Sequence, residues 1–146
     1  MKADVQKLRD RTGAGVMDCK RALDESGGDV ERAAKIIREK GFAKAAKKSE
    51  RSTGSGVIDA YIHNNRVGVL LELHCETDFV AKTDEFKSLA HEIAMQVAAM
   101  DPENVDELLA QPYIKDASMT MGDIVTQTIS KTGENIKIGR FIRYEI

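Results

Sequence analysis

The clearest structural pattern in this chain of 146 residues is the segment Val67-Gly68-Val69-Leu70-Leu71-Glu72-Leu73-His74-Cys75. Its odd-numbered positions are all apolar, and they alternate with glycine, leucine, glutamate and histidine. Because successive side chains of a β-strand point to opposite faces of the sheet, this pattern predicts a strand with one buried face. The rest of the fold can be built outward from this strand.

A partner strand is predicted immediately before it, over residues 57–62. The connection is His63-Asn64-Asn65-Arg66, and asparagine tolerates the positive φ angles that tight hairpin turns require. The two segments therefore predict an antiparallel β-hairpin.

From Asp84 onward the apolar residues follow a helical spacing. Those on the predicted stripe are Phe86, Leu89, Ala90, Ile93, Ala94, Val97 and Ala98. A helix with such a continuous apolar face is expected to cover the sheet.

The remaining C-terminal sequence predicts two helices and a third strand. A short acidic helix is expected to start at Asp101-Pro102 and to end at Gln111-Pro112, and a second helix covers residues 121–131 and stops near Gly133. A closing strand follows, with apolar residues at even spacing: Ile136, Ile138, Ile142, Tyr144 and Ile146. The predicted fold class is α+β, with a three-stranded antiparallel sheet packed with helices.

Residues 1–41 predict a small module of three helices. The first covers residues 4–11, and the second begins at Val16 and ends at Ser26-Gly27-Gly28. Asp29 is suited to cap the third helix, and Gly41 occupies the position of a terminating glycine. Residues 42–56 then predict a helical linker with a flexible end, and residues 57–146 form the α+β core domain.

Composition narrows the function. The net charge of -2, from 22 basic and 24 acidic residues, gives no overall attraction to a polyanion. A nucleic acid is therefore not favoured as the principal partner. No apolar stretch approaches the roughly 20 residues of a membrane span, and Met1 leads into charged residues instead of an apolar signal segment, so we expect a cytoplasmic protein. Cys19 and Cys75 lack metal-site spacing and are interpreted as small apolar residues.

Several segments together resemble the elongation factor Ts family. The first runs from Leu8 to Leu23 and includes Arg11-Thr12-Gly13-Ala14-Gly15-Val16-Met17, the second is Glu76-Thr77-Asp78-Phe79-Val80-Ala81, and the third is Gly133-Glu134-Asn135-Ile136 with residues 140–143 behind it. With residues 42–48 they cover most of the chain in the family's order. The resemblance implies an N-terminal three-helix module of the ubiquitin-associated type, a linker helix and a core of antiparallel sheet and helices.

The resemblance also implies a partner and an activity. The partner is the GTPase elongation factor Tu, and the activity is accelerated release of GDP, a guanine-nucleotide exchange without catalytic residues, cofactor or metal. The chain is shorter than is usual for the family in the region between Met100 and Pro112, which only about ten residues separate. This shortening raises the alternative that two chains associate as a homodimer, for which an uncovered strand edge offers a route.

The resemblance assigns Thr77, Asp78, Phe79 and Val80 to the family loop that enters the partner's G domain near its magnesium site. A large aromatic residue in a connecting loop is a candidate interface anchor. The structural alternative is that Phe79 folds back under the following helix as core and that Asp78 caps a turn.

Two further contact regions follow from the resemblance. The first is a docking surface formed by Arg9, Arg11, Val16, Met17 and Lys20, some of which are also expected to build the core of the module, with Met17 facing outward. The second is the turn at Thr132 and Gly133, near the partner's phosphate loop; its alternative interpretation is a helix stop and a turn. The segment Thr12-Gly13-Ala14-Gly15 lacks the Gly-Lys-Ser/Thr of a P-loop.

Other functional classes remain as alternatives. One is a ubiquitin-associated-type interaction module fused to an unrelated α+β domain, which would bind a protein without releasing GDP. Another is an RNA-binding protein that uses the linker cations Lys44, Lys47, Lys48 and Arg51, although such a stripe is more typical of a solvated face. A hydrolase or transferase has no nucleophile–base arrangement or cofactor motif in its favour.

Overall fold

The computed structural model describes residues 2–146, and it has the predicted α+β architecture of N-terminal helices followed by an antiparallel sheet packed with helices. The helices are α1 (Lys2–Thr12), α2 (Val16–Glu25), α3 (Val30–Lys48), α4 (Asp78–Ala81), α5 (Asp84–Met100), α6 (Val105–Ala110) and α7 (Met121–Thr132). The strands are β1 (Ser55–His63), β2 (Val67–Cys75), β3 (Pro112–Tyr113), β4 (Asp116–Thr120) and β5 (Lys137–Glu145). Within residues 2–146, no helix is both long and apolar enough to span a bilayer.

The predicted hairpin is confirmed as β1 and β2, and β2 is the central strand of a sheet with the order β1-β2-β5. Asn64 and Asn65 adopt φ angles of 51° and 58° in the connecting turn, as a tight hairpin requires. The alternating apolar residues of β2 are buried from Val69 to Cys75. The sheet therefore has one face in the core.

Helix α5 covers that buried face, and all seven residues of its predicted stripe are buried. The Thr83 hydroxyl caps the helix by accepting a hydrogen bond from the Phe86 amide, and Asp101 ends it in a left-handed conformation with its amide bonded to the Val97 carbonyl. The prediction that the acidic helix starts at Asp101-Pro102 is therefore wrong. Asn104 caps α6 instead, by accepting from the Glu107 amide.

The predicted closing strand is present, but its evenly spaced apolar residues do not share one face beyond Ile138. Leu73 pairs with Ile138 and Leu71 pairs with Phe141, so β5 uses one residue more than β2 between these pairs. Such a bulge moves every later side chain to the opposite face. Phe141 packs against the core, whereas Ile142, Tyr144 and Ile146 are exposed. The small β3–β4 hairpin was not predicted.

The three-helix module has the predicted helices and its own core. Its buried residues are Val5, Leu8, Cys19, Ala22, Leu23 and Ala33. The predicted cap at Asp29 is confirmed, because its carboxylate accepts hydrogen bonds from the amides of Glu31 and Arg32.

Gly41 does not end the third helix, contrary to the prediction. Helix α3 runs without a break to Lys48, so the predicted third helix and linker helix are one element. A Cβ at Gly41 would lie 3.3 Å from the Cγ2 of Thr126 in α7, which shows that the glycine permits close packing of the two helices. Three residues earlier in α3 the Arg38 Nε donates to the buried Asp123 carboxylate of α7 over 2.7 Å. These contacts hold the three-helix module against the core.

Candidate functional site

The segment Thr77–Val80, called here the 77–80 turn, connects the end of β2 to α5. The Thr77 hydroxyl accepts a hydrogen bond from the Val80 amide and so begins the four-residue helix α4. Val80 and Ala81 are buried, whereas 81% of the Phe79 surface is exposed. The alternative in which Phe79 folds back as core and Asp78 caps the turn is therefore wrong. The turn is anchored by Val80 and displays Phe79.

The carboxylate of Glu134 holds the start of this turn from the other end of the chain. Its Oε1 accepts hydrogen bonds from the amides of Glu76 and Thr77 at 3.0 and 3.1 Å. Its Oε2 accepts from the Thr77 hydroxyl at 2.7 Å. One side chain thus satisfies three donors of the segment that leads into α4.

Glu76 in turn contacts the segment that contains Glu134. Its Oε2 accepts a hydrogen bond from the Asn135 amide at 2.6 Å, and the Arg51 guanidinium lies 3.6 Å from the same oxygen. The buried Asn135 side chain donates to the Arg51 carbonyl at 2.9 Å. We call Glu76, Glu134, Asn135 and Arg51 the Glu76–Glu134 clamp. It ties the 77–80 turn to the end of α7 and to the segment after α3.

Thr132 and Gly133 lie beside this clamp. Gly133 ends α7 in a left-handed conformation with φ 75°, and the Arg51 guanidinium donates to its carbonyl at 3.4 Å. The Thr132 hydroxyl donates to Thr128 and accepts from the Glu134 amide. This turn does stop the helix, as the structural alternative proposed. The structure also brings it together with the 77–80 turn.

The five residues predicted on the N-terminal module are all exposed. Met17 is 59% exposed and Val16 is 44% exposed, so the expectation that some of the five build the module's core is wrong. Arg11 forms an ion pair with Glu31 at 2.7 Å, and this hydrogen bond and charge hold the pKa of Glu31 below its usual value. All five side chains are thus at the surface, and Arg11 is engaged there by Glu31.

The loop at residues 12–15 reaches the same end of α7. Gly13 adopts φ 70°, and a Cβ there would lie 2.8 Å from the Cε of Lys131, the residue that precedes Thr132. A groove of about 620 Å³ separates the module from the core, and its lining includes Arg9, Ile37, Phe42 and Gln127. The 132–133 turn therefore lies between the module and the Glu76–Glu134 clamp.

Sequence reasoning missed the clamp. Glu76 and Glu134 flank predicted site residues, but they lie 58 positions apart and carry no pattern that pairs them. Arg51 was assigned to the solvated cationic stripe, whereas it contacts Glu76 and Gly133. Only the tertiary fold reveals these partners.

The cysteines and acidic groups offer little metal chemistry. Cys19 and Cys75 are buried free thiols, and burial raises the pKa of each. Between Lys2 and Ile146, no group of three or more His, Cys, Asp or Glu side chains is placed to hold a metal ion. The candidate site consists instead of exposed side chains on a hydrogen-bonded support.

The chain is similar to proteins of one known family. The family described as elongation factor TS matches residues 76–146, which begin at Glu76 of the clamp. An elongation factor Ts from Carboxydothermus hydrogenoformans is 46% identical over 97% of this chain and 87% of its own length. The chain belongs to the elongation factor Ts family. It is thereby related to factors of translation elongation in protein biosynthesis.

Other members of the elongation factor Ts family show how the length differs. The relative from Thermotoga petrophila is 45% identical over 97% of this chain and 94% of its own length, in an alignment of 186 positions. Several tens of those positions have no counterpart in a chain of 146 residues. The relative from a Nostoc species is 51% identical over 97% of this chain but only 45% of its own length. This chain therefore lacks counterparts for part of the region that it shares with the Thermotoga petrophila relative.

Proposed function

We propose that this protein is a guanine-nucleotide exchange factor that binds elongation factor Tu with GDP and accelerates GDP release in translation elongation. Family membership supports the partner. The observation that carries the activity is the exposed Phe79 on the buried anchor Val80. An exposed aromatic on a fixed support is the kind of side chain that anchors protein interfaces. The factor acts by contact alone and needs neither a catalytic residue nor a cofactor.

We propose that the 77–80 turn disturbs the magnesium and phosphate site of the partner. Mg²⁺ requires nearly ideal octahedral geometry, so a small displacement of one ligand or water is costly. Burying one phenylalanine contributes on the order of 2 kcal/mol, and each tenfold loss of GDP affinity requires about 1.4 kcal/mol of coupling. A large exchange effect therefore needs other contacts besides Phe79.

The N-terminal module and the 132–133 turn supply such contacts in this proposal. The exposed Val16 and Met17, flanked by Arg9, Arg11 and Lys20, would dock on the G domain. Thr132 and Gly133 would approach the phosphate loop of the partner. Reciprocity of coupling then requires GDP to weaken factor binding as much as the factor weakens GDP binding.

We further propose that two chains associate through the outer face of the sheet. Ile58, Ile62, Leu70, Ile142 and Tyr144 are exposed large apolar residues. The register places Leu70 opposite Ala60 on one neighbouring strand and opposite Ile142 on the other, so the apolar face crosses all three strands. A contiguous apolar patch is typical of an interface. A second copy fits because identical faces meet across a two-fold axis.

The proposed location is the cytoplasm, where translation takes place, with no membrane and no nucleic acid as a direct partner. The net charge of -2 agrees with a protein partner rather than a polyanion.

The test is release of a fluorescent GDP analogue from purified elongation factor Tu. We expect substoichiometric amounts of this protein to accelerate release, because an exchange factor is recycled. Binding to elongation factor Tu without acceleration would contradict the proposal. That result would favour the alternative of a ubiquitin-associated-type interaction module without exchange activity.

A further inference from the structure

Helix α4 is too short to be stable on its own. It has four residues, and isolated helices of fewer than about 12 residues are marginal in water because nucleation is costly. Burial of Val80 and Ala81 fixes its C-terminal half. Its N-terminal side, which includes the exposed Thr77, Asp78 and Phe79, needs another support.

The Glu134 carboxylate is that support. It accepts hydrogen bonds from two consecutive backbone amides and from the Thr77 hydroxyl, and that same hydroxyl oxygen accepts from the Val80 amide at the start of α4. Hydrogen bonds to an ionised group are stronger than neutral ones. The carboxylate therefore acts at the point that sets the direction of the 77–80 turn.

The rest of the clamp keeps Glu134 in place. The carboxylate of Glu76 accepts from the Asn135 amide, so each glutamate binds the backbone next to the other. Arg51 lies within 3.6 Å of Glu76 and offsets the repulsion between two neighbouring carboxylates. The side-chain Nδ2 of Asn135 also donates to the backbone carbonyls of Ser49 and Arg51. The support is thereby joined to the segment that follows α3.

We propose that Glu134 is a positioning residue for nucleotide exchange: it holds the 77–80 turn in the conformation that presents Phe79. The inference rests on the proposed exchange function and adds a residue that contacts the turn rather than the nucleotide. Ordering the turn before binding removes an entropic cost from the encounter. Loss of Glu134 then acts through Phe79, and the two residues are energetically coupled.

The experiment compares Glu134→Ala, Phe79→Ala and the double variant in the GDP release assay. We expect Glu134→Ala to lower the stimulated release rate at subsaturating factor by at least about tenfold, since it removes three hydrogen bonds and one hydrogen bond to a charged group alone shifts an equilibrium by roughly that factor. In the Phe79→Ala background, Glu134→Ala should cause little further loss. Equal, independent losses in the two backgrounds would overturn the proposal, as would an unchanged rate in Glu134→Ala.

Three further variants separate positioning from stability. Glu134→Gln keeps an acceptor oxygen for both amides and should retain a rate within about threefold of the wild type. Glu134→Asp keeps the charge but is one methylene too short to reach all three donors, so it should lose activity even if the alanine variant does not fold. Glu92→Ala is the matched control, because Glu92 accepts from Tyr113 and Lys115 elsewhere in the core domain. Wild-type behaviour of Glu134→Asp would overturn the proposal.

Amide hydrogen exchange provides a readout that needs no partner protein. The amides of Glu76 and Thr77 should exchange about tenfold faster in Glu134→Asp than in the wild type, and Glu92→Ala should leave them unchanged. Unchanged protection of these amides overturns the positioning role alone. Failure of the wild-type protein to accelerate GDP release overturns the exchange function, whatever the amides show.

Discussion

At the level of single residues, neighbouring side chains of the 77–80 turn differ in exposure and in proposed role. Phe79 is exposed and Val80 is buried, although both belong to the segment that the family resemblance assigned to partner contact. We infer that Val80 supports the turn from within the core and that Phe79 makes the contact. The same division holds in the N-terminal module, where Met17 is exposed and Cys19 is buried.

Glu72, on the outer face of the sheet, has a carboxyl group with a strongly lowered pKa. Hydrogen bonds from the side chain and backbone of Arg140 lower the pKa of Glu72 from 4.5 to about 2. A lowered pKa means that the folded state favours the ionised form, so this contribution to stability is present above about pH 4.5 and is lost as the pH falls toward 2.

We therefore predict a pH-dependent effect of Glu72→Gln. The wild type should unfold at a higher temperature than the variant near neutral pH, and the difference should shrink as the pH falls from about 4.5 toward 2. Thermal unfolding of both proteins across this range measures the difference. A difference that stays constant would contradict the assignment of the ionised form to the Glu72–Arg140 pair.

At the level of helices and strands, the local sequence pattern predicted most elements, because periodicity and capping are determined by residues that are close in the sequence. The hairpin, α5 with its buried stripe and the end of α7 at Gly133 are examples. The end of α3 and the bulge in β5 were not predicted, because both depend on tertiary contacts. Gly41 has the properties of a helix terminator, but packing against Thr126 makes it an interior residue of α3.

The bulge in β5 is the second case. Gly139 was the available signal, since a glycine inside a strand often marks a bulge or a close approach. A Cβ there would lie 2.5 Å from the His74 Nε2 and 2.8 Å from a carboxylate oxygen of Glu72, so the glycine makes room for the side chains of His74 and Glu72. The candidate site also depends on tertiary contacts. Its segments were therefore predicted separately, and the Glu76–Glu134 clamp that joins them was not predicted.

The β-hairpin offers a direct test of close backbone packing. A Cβ at Gly56 would collide with the carbonyl oxygen of Leu73 in β2, whereas a Cβ at Gly54 would meet nothing within 4 Å. We predict that Gly56→Ala lowers the free energy of unfolding by about 2 kcal/mol, while Gly54→Ala changes it by less than about 0.5 kcal/mol. Urea denaturation of the two variants measures both values. Equal stabilities would contradict the pairing of β1 with β2.

At the scale of the whole molecule, the three proposed contact segments are connected through one support. Helix α3 carries the N-terminal module, packs on α7 through Arg38 and Asp123, and leads to the Arg51 and Asn135 contacts of the clamp. The outer face of the sheet lies opposite the face that α5 covers, and its large apolar residues are exposed in the structure of residues 2–146. The proposed dimer would cover it.

The dimer makes a measurable prediction. The solution mass of the wild type should be about twice the chain mass of 16.1 kDa, and Leu70→Lys, at the centre of the apolar face, should shift it to that of one chain. Ile114→Lys, on the exposed β3–β4 hairpin, serves as the control and should leave the dimer intact. A monomeric wild type would contradict the proposed association.

We propose that the exposed Phe79 drives GDP release from elongation factor Tu, and substitution of this residue tests the proposal. GDP release from elongation factor Tu should be compared for the wild type, Phe79→Ala and Ile114→Ala, the last being a second exposed apolar residue outside the proposed contact segments. Loss of about 2 kcal/mol of burial corresponds to roughly a thirtyfold slower stimulated release. We expect such a loss for Phe79→Ala with unchanged thermal unfolding, and wild-type release for Ile114→Ala. Unchanged release by a folded Phe79→Ala protein would contradict the proposal.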